Sequence, residues 1–561
     1  MNRDRHHAGQ NLLTRITHGQ LQQFYASGFW RDETLYDLAA THAGTTPDKI
    51  AVRDSYGSLS YGELVGLADG IAADLLATGL RAGDRVAAWM SSRVEIAALL
   101  LACSREGFVL SPSLHRNHTV EEIVALVASC SARAVIVEEA FGVGVDREEI
   151  FTRLAALDHV RKTVRLKPAA ARTADSIATA LAVTSSAAAG PTGGANDVVY
   201  LAFTSGTTGE PKGVLHSNNT LLANARAIAA DWHFDRKSVT YTLSPLSHNL
   251  GFGALVLTIL VGGEIVLHDL PRGASLLTRL REIGATFIFG VPAHAMDLLK
   301  EIDLADGANL ERLRGFRISG GAVPRSVVER LIAYGITPQS GYGMTEACSH
   351  HYTLPTDAPE RIVNTSGRAC GGYEVNIFST DDPDVRLPAG EIGQIGGRGG
   401  SLMLGYFNDQ ASTENAFNSQ GWFMTGDMGR MDADGYLQIT GRIKDIIIRG
   451  GHNIHPARIE SLAMRHSAVE RAAAVPVKDE RLGERVCIVF VPKAGAKVDP
   501  EALLTHLHDQ GLSKYDMPEF YLQVDEIPLS ASGKVLKRAL LPLIADGTLC
   551  PLAMPRPGEG Q

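Results

Sequence analysis

Residues 198–213 read VVYLAFTSGTTGEPKG, and the rest of the chain can be organised around them. The first six residues are an uninterrupted apolar run, which is typical of a strand buried on both faces. Hydroxyl and glycine residues follow, and Lys212 adds a positive charge. Glycines let the main chain approach a ligand, and hydroxyl and amide groups donate hydrogen bonds to anionic oxygens. The stretch predicts a phosphate-binding loop between a strand and its helix, formed by Thr204, Ser205, Gly206, Thr207, Thr208, Gly209 and Lys212.

A second motif, QSGYGMTE, occupies residues 339–346. Tyr342 offers an aromatic face for a purine, and Thr345 offers a hydroxyl group for a phosphate. The Glu346 carboxylate is a hard oxygen ligand of the kind that Mg²⁺ prefers. Taken singly, these residues also suit a core aromatic residue, a helix cap and a solvated acid.

Three further strings complete the pattern. Residues 421–427 read GWFMTGD, and Asp427 can accept two hydrogen bonds from vicinal ribose hydroxyls. Residues 316–322 read FRISGGA, a predicted strand that ends in small residues. Residues 528–538 read PLSASGKVLKR and place Lys534 in a loop rich in serine and glycine. Alone, each string also fits an ordinary turn or a solvated lysine.

Together these motifs resemble the adenylate-forming superfamily, which contains acyl-CoA synthetases, luciferases and peptide-synthetase adenylation domains. The resemblance spans roughly residues 30–540 and implies that Lys534, Thr204, Thr345 and Glu346 are catalytic, with Glu346 binding Mg²⁺. The implied ATP and AMP site adds Gly320, Gly321, Ala322, Ser340, Gly341, Tyr342, Gly343, Met344, Asp427 and Arg442 to the phosphate loop.

The resemblance also implies the architecture. We expect an α/β fold with a large N-terminal domain (residues 1–440) built on mixed and parallel sheets with flanking helices. A small, mobile α+β domain (441–545) and a flexible tail (546–561) should follow. Lys444 matches the hinge of the family, and Arg449, Gly450 and Gly451 are expected to contact coenzyme A.

The composition narrows the class of protein. The chain has 561 residues and a formal net charge of -9, so a general nucleic-acid partner is not expected. Its N-terminus lacks the apolar core of a signal peptide, and its apolar runs are too short for a membrane span. The six cysteines have no CxxC spacing and indicate neither a zinc site nor a disulfide framework. These features favour a cytoplasmic enzyme.

The expected reaction joins a carboxylate to coenzyme A through an acyl-AMP intermediate, with ATP as co-substrate and Mg²⁺ as cofactor. His248, Asn249, Gly251 and Gly341 are the expected acyl-binding residues. The His248–Asn249 pair is similar to the branch that activates aryl and alicyclic acids, so we expect a cyclic acid such as cyclohexanecarboxylate. A stand-alone aryl-acid adenylating enzyme that loads a carrier protein stays open, as does a non-catalytic nucleotide-binding scaffold. A lysine acetyltransferase and deacetylase acting on Lys534 are possible partners, and an oligomer is not excluded.

Overall fold

The computed structural model describes residues 14–142, 148–171, 190–204, 211–271, 273–305, 310–321, 323–450, 452–529 and 535–555. The chain divides into two compact units. Unit 1 contains Met1–Val375 and Gly397–Phe423, and unit 2 contains Asn376–Gly396 and Met424–Gln561. The chain passes between the units within strands, so the division does not coincide with a single linker.

The strands alternate with helices along most of unit 1, as the sequence predicts for a largely parallel sheet. The first fifteen are β1 (Ile50–Asp54), β2 (Gly57–Ser60), β3 (Arg85–Trp89), β4 (Val109–Ser111), β5 (Ala134–Glu138), β6 (Lys162–Leu166), β7 (Val198–Thr204), β8 (Lys212–Ser217), β9 (Val239–Thr242), β10 (Glu264–Leu267), β11 (Phe287–Gly290), β12 (Gly315–Ser319), β13 (Thr337–Met344), β14 (Cys348–Tyr352) and β15 (Arg368–Ala369).

Of the remaining strands, the one at 405–406 belongs to unit 1, three cross between the units, and the others lie in unit 2. In chain order, the remaining strands are β16 (Tyr373–Phe378), β17 (Gly393–Gly399), β18 (Gly405–Tyr406), β19 (Phe423–Met431), β20 (Leu437–Arg442), β21 (Ile447–Arg449), β22 (His452–Ile454), β23 (Val469–Asp479), β24 (Gly483–Pro492), β25 (Phe520–Gln523) and β26 (Leu552–Ala553).

Two sheets form the framework of unit 1 among the described residues. The larger has the order β15-β14-β13-β12-β11-β9-β10-β1-β2, and its central neighbours from β13 to β1 are parallel. The other has the order β18-β8-β7-β4-β3-β5-β6. The apolar run of β7 lies between β4 and β8 and is buried from Val199 to Ala202, so the predicted buried strand is confirmed.

Helices cover these sheets. The α-helices of unit 1 are His18–Ala26, Leu35–Thr45, Tyr61–Ala77, Glu95–Glu106, Val120–Ser129, Glu149–Ala155, Asn218–Asp231, Asn249–Val261, Leu276–Glu282, Pro292–Leu304, Arg325–Ala333, Pro359–Asn364 and Gln410–Asn415. The helices Asn218–Asp231 and Asn249–Val261 pack on each other and on β14, and both are buried over most of their length. A helix that is apolar on all sides needs such burial.

Unit 2 is a small α+β body, as expected. Its sheet has the order β22-β21-β24-β25-β26, with β23 paired to β24. Its α-helices are Pro456–Ala463, Pro500–Asp509 and Lys537–Ala545. The long β23–β24 pair is buried on both faces, with Ile488 and Phe490 in one apolar cluster and Cys487 and Val489 in the other.

The structure bears on two of the expected boundaries. The predicted division at residue 440 stays a prediction for the family's domains, but residues 376–396 and 424–440 group with the C-terminal part here. The helix Pro456–Ala463 packs against β20, which holds that region to unit 2. The expected tail at residues 546–561 is wrong for 546–555, because β26 pairs with β25 and Met554 is buried in the unit's core.

Candidate active site

The phosphate loop begins and ends on a hairpin. Thr204 ends β7 and Lys212 begins β8, and the two residues are antiparallel partners. The Thr204 hydroxyl lies 3.4 Å from the Lys212 carbonyl oxygen. After the loop, Gly213 to Leu215 continue as a buried strand, and the helix that follows starts at Asn218. Ser205, Gly206, Thr207, Thr208 and Gly209 lie outside the described residues.

A tyrosine connects the two predicted phosphate-binding motifs. The Lys212 ammonium lies over the ring of Tyr406, 4.8 Å from its centre. The Tyr406 hydroxyl donates to Glu346 Oε1 over 3.0 Å. Burial, and next the charge of Glu346, raises the pKa of Tyr406, so the phenol remains a hydrogen-bond donor at neutral pH. Tyr406 thus contacts a charged residue of each predicted phosphate-binding motif.

A buried histidine holds the main chain of the second motif. His216 Nε2 lies 2.7 Å from the carbonyl oxygen of Thr345, and His216 Nδ1 lies 3.0 Å from the Thr220 hydroxyl. Burial lowers the pKa of His216 to about 4, so the ring is neutral at physiological pH. Because a carbonyl can only accept, Nε2 carries the proton. Sequence analysis did not single out His216 and gave Tyr406 no part in the site, since neither lies within one of the nucleotide-binding motifs.

The predicted adenine-side residues lie at the ends of β12 and β13. Ser319 is paired with Gly341, and its hydroxyl donates to the Gly341 carbonyl over 3.1 Å. Gly320 follows with a φ of 89°, a conformation that favours glycine. The Ser340 hydroxyl donates to the Thr365 carbonyl over 3.1 Å, so its proton is used in a hydrogen bond within the protein. Gly321 is described, whereas Ala322 is not.

The central part of the second motif packs on a neighbouring strand. A Cβ at Gly343 would lie 2.2 Å from the Cys348 carbonyl oxygen, so only glycine allows this approach. Met344 pairs with Cys348 across the same turn. The ring of Tyr342 meets that of His350 edge to face at 5.0 Å. His350 and the adjacent His351 are fully buried.

The predicted acyl-binding pair begins the helix Asn249–Val261. The His248 ring stacks on His115 with centroids 4.2 Å apart, and burial lowers the pKa of His115 to about 3. Asn249 Nδ2 donates to the Met344 carbonyl over 3.3 Å, which ties this helix start to the second motif. At Gly251 a Cβ would lie 2.3 Å from the Ser244 carbonyl oxygen, so its close packing on that turn explains the glycine.

The ribose-side and hinge residues lie in unit 2. Asp427 and Arg442 are antiparallel partners, and Arg442 Nε donates to Asp427 Oδ1 over 2.8 Å. Lys444 is the middle residue of the 3₁₀ turn Ile443–Asp445 and is exposed. It lies inside unit 2 rather than at one of its limits.

The expected coenzyme A segment follows in the same unit. Arg449 donates to Glu519 over 2.5 Å. Gly450 adopts a φ of 58° and donates to the Leu482 carbonyl over 2.7 Å. Gly451 and the predicted catalytic Lys534 lie outside the described residues.

Comparison with known proteins decides the family. The AMP-binding enzyme family matches residues 39–407, and the AMP-binding enzyme C-terminal domain matches residues 458–534. The chain belongs to the AMP-binding enzyme family. It is 32% identical to a medium-chain fatty-acid–CoA ligase of Escherichia coli, over 94% of each chain. It is likewise 32% identical to an indoleacetate–CoA ligase of Aromatoleum aromaticum, over 90% of this chain and 97% of the relative.

A solved structure of the AMP-binding enzyme family shares the fold. ATP-bound MatB from Rhodopseudomonas palustris superposes with a TM-score of 0.80 at 28% identity, covering 92% of this chain and 99% of MatB. The predicted fold class and the predicted enzyme class, an AMP-forming acyl-CoA ligase, are confirmed at the level of this family. In the described part of the chain, no helix is both long enough and apolar enough to cross a membrane.

The residues around Glu346 fit a magnesium ion that also binds phosphate. Within the described ranges, three or more metal-binding side chains do not cluster anywhere. Mg²⁺ usually takes only one or two carboxylates and completes its shell with water and substrate phosphates. The Glu346 carboxylate, oriented by Tyr406, suits that arrangement.

Proposed function

We propose that the protein joins a cyclic carboxylic acid, such as cyclohexanecarboxylate, to coenzyme A. In the first step a carboxylate oxygen attacks the α-phosphorus of ATP, giving acyl-AMP and releasing diphosphate. In the second step the thiolate of coenzyme A attacks the acyl carbon, and AMP leaves with the electron pair of the broken bond. The thiol proton passes to solvent or to the departing phosphate.

The proposed residue roles follow from charge. The first step brings two anions together, so positive charge and hydrogen-bond donors must be in place before they meet. Lys212 and the Thr204 hydroxyl are suited to the phosphates, and Thr345 to the α-phosphate. We assign Lys534 to the carboxylate of the acid and the bridging oxygen of the phosphate. Mg²⁺ held by Glu346 would neutralise phosphate charge. Asp427 would accept from the ribose hydroxyls, and its contact with Arg442 orients it for that role.

One observation supports a ring-shaped acid. The imidazoles of His115 and His248 stack with an angle of 17° between their planes, beside the helix start that Asn249 ties to the nucleotide motif. Burial lowers the pKa of His115 to about 3, so this imidazole is neutral. A flat aromatic surface packs well against the face of a ring. The relative named for indoleacetate also acts on an acid that carries a ring.

A panel of acids tests the proposal. Acid-dependent exchange between ATP and labelled diphosphate reports the first step for cyclohexanecarboxylate, benzoate, indoleacetate and linear acids of matched carbon number. We expect the ring acids to have the highest kcat/KM. Higher values for every linear acid would overturn the cyclic substrate while leaving the family chemistry intact.

The acceptor is tested separately. Coenzyme A and a phosphopantetheinylated carrier protein are each supplied with the best acid, and thioester formation is measured. We expect the CoA thioester to form faster. Faster loading of the carrier would favour the stand-alone aryl-acid adenylating enzyme, and absence of exchange with every acid would favour a nucleotide-binding scaffold. Acetylation of Lys534 would remove its charge, so an acetyltransferase and a deacetylase could control the first step.

A further inference from the structure

Arg317 is a buried guanidinium on the sheet face that bears the predicted acyl helix. Its neighbours along β12, Phe316 and Ile318, belong to the apolar core on the other face. Because side chains alternate along a strand, Arg317 points to the opposite side. The helix Asn249–Val261 packs on β11 and β14 of this same sheet, and the side chain of Arg317 is 0% exposed.

The guanidinium is anchored on one side only. Arg317 Nη1 donates to Gln339 Oε1 over 2.7 Å, and the two residues are partners in the parallel β12–β13 pair. Arg317 lies over the ring of Tyr352, 5.3 Å from its centre. These contacts hold the planar group in one orientation and fix the Gln339 amide with its nitrogen turned away from Arg317.

Three buried donors have no acceptor among the described residues. They are Arg317 Nε, Arg317 Nη2 and Gln339 Nε2. Nε and Nη2 form one edge of the guanidinium, which is the edge that binds both oxygens of a carboxylate side by side. Native proteins satisfy almost all buried donors, so three together indicate a place for an acceptor-rich group.

The groups that favour the charge on Arg317 are themselves neutral, and the Asp231 carboxylate beside Tyr352 accepts from the Tyr352 hydroxyl over 2.7 Å. Tyr352 and Cys370 are the groups that favour the charged form of Arg317, and burial raises the pKa of both above the physiological range. Burial lowers the pKa of Arg317 to about 10, so the side chain remains positive at neutral pH. His350, which faces Arg317, is kept neutral because burial lowers its pKa well below the usual range.

Gly341 connects this cluster to the candidate active site. A Cβ at Gly341 would lie 2.7 Å from Arg317 Nη2, so the absence of a side chain lets the guanidinium lie against the strand. The next residue is Tyr342, which begins the Y-G-M-T-E motif, and Gly341 itself is a predicted acyl-binding residue. The free edge of Arg317 therefore lies beside the main chain from which the nucleotide motif extends.

We propose that Arg317 and Gln339 bind a second carboxylate of the acid substrate, remote from the carboxylate that is adenylated. The inference rests on the proposed function and narrows it to a dicarboxylic acid, with one group reacting and the other held by the fork of Arg317. Neutral acceptors would leave the buried charge uncompensated, which is costly. Arg317 thus acts as a specificity-determining residue.

The test compares a diacid with its half-ester. Wild-type protein is given cyclohexane-1,4-dicarboxylate, its monomethyl ester and cyclohexanecarboxylate in the exchange assay. We expect kcat/KM for the diacid to exceed that for the half-ester by about tenfold or more, the scale of one charge-assisted hydrogen-bonded pair. Equal values would overturn the inference without any mutation.

Substitution then assigns the effect to the residue. Arg317→Met should lower kcat/KM for the diacid by about a hundredfold, since a buried charge pair is broken, and should leave or raise the value for cyclohexanecarboxylate. Arg317→Lys should fall between, because it keeps the charge but loses the fork. Arg314→Met is the control: Arg314 donates to the carbonyls of Trp232 and His233 near the same strand. It should leave the ratio of the two acids unchanged.

The outcomes separate this inference from the proposed function. Suppose that ring monoacids and diacids have equal kcat/KM values and that Arg317→Met lowers both values by the same factor. Arg317 is then structural, and only the second-carboxylate inference fails. If linear diacids are preferred over their half-esters while ring acids are not used, the cyclic substrate fails and the Arg317 inference stands. Thermal unfolding of each variant shows whether it is folded, and a misfolded Arg317→Met leaves the wild-type comparison to decide.

Discussion

Tyr406 shows how much of the site depends on a residue with no ligand role of its own. Its ring carries the Lys212 ammonium on one face, and its hydroxyl donates to the Glu346 carboxylate. Lys212 and Glu346 belong to motifs more than a hundred residues apart, and each is suited to a different part of ATP. Tyr406 therefore contacts the positive charge of one motif and the negative charge of the other.

At the residue scale we predict that Glu346→Gln weakens the use of Mg²⁺. Glutamine keeps the shape and the acceptor for Tyr406 but has no charge. The Mg²⁺ concentration for half-maximal exchange should rise roughly tenfold or more, the scale of a lost charged interaction. Glu360→Gln, on an exposed carboxylate of the helix Pro359–Asn364, is the control. An unchanged magnesium titration for Glu346→Gln would remove this residue from the metal site.

At the element scale the helix Asn249–Val261 is positioned by its first residue. Its N-cap, His248, has no capping side-chain hydrogen bond, and Asn249 reaches across to the Met344 carbonyl instead. Gly251 then lets the first turn pack closely on the Ser244 carbonyl. The start of the predicted acyl helix and the nucleotide motif on β13 are therefore held to each other.

We predict that Asn249→Ala changes the order of preference among cyclic acids. Losing the amide releases the Met344 carbonyl and allows the helix start to shift, which alters the wall formed with His248. Rate constants for the same panel of acids give the measurement, and Asn364→Ala, whose amide donates to the Glu360 carbonyl, is the control. Loss of activity by one common factor for every acid would show that Asn249 does not determine selectivity.

At the scale of the whole molecule, an AMP-forming CoA ligase carries out two half-reactions. The acid reacts with ATP in the first, and the acyl-AMP reacts with coenzyme A in the second. The AMP-binding enzyme C-terminal domain matches residues 458–534, so Lys444 precedes it and Lys534 is its last matched residue. We predict that the two half-reactions use different orientations of the C-terminal part about Lys444. This hinge lies within a 3₁₀ turn, where proline would restrict φ.

Two substitutions should therefore separate the half-reactions in opposite senses. Lys444→Pro should leave acid-dependent exchange largely intact and impair thioester formation from supplied acyl-AMP. Lys534→Ala should lower exchange by about a hundredfold or more, the scale of one preorganised electrostatic group, and spare the second step. Both half-reactions are assayed on both variants, so each serves as the control for the other. Equal loss of both steps in Lys444→Pro would mean that the junction is disrupted rather than locked.

Local patterns in the sequence were enough for the motifs and for the buried strand that precedes the phosphate loop. The strand β7 was predicted because an apolar run is a property of neighbouring residues. The motif strings led to the family for the same reason, since the residues that contact one ligand group are adjacent in the chain.

Only the tertiary structure decided which side chains meet. Tyr406 bonds to Glu346 across 60 positions, and His216 reaches Thr345 across 129. Arg317 could be read from the sequence only as part of a strand, and its burial beside Gly341 appears once β12, β13 and the helix Asn249–Val261 are assembled. Such contacts depend on strand order and helix packing, which no local pattern encodes. The family can therefore be identified from the sequence. The surroundings of the proposed acyl-binding residues are instead formed by residues that are distant along the chain.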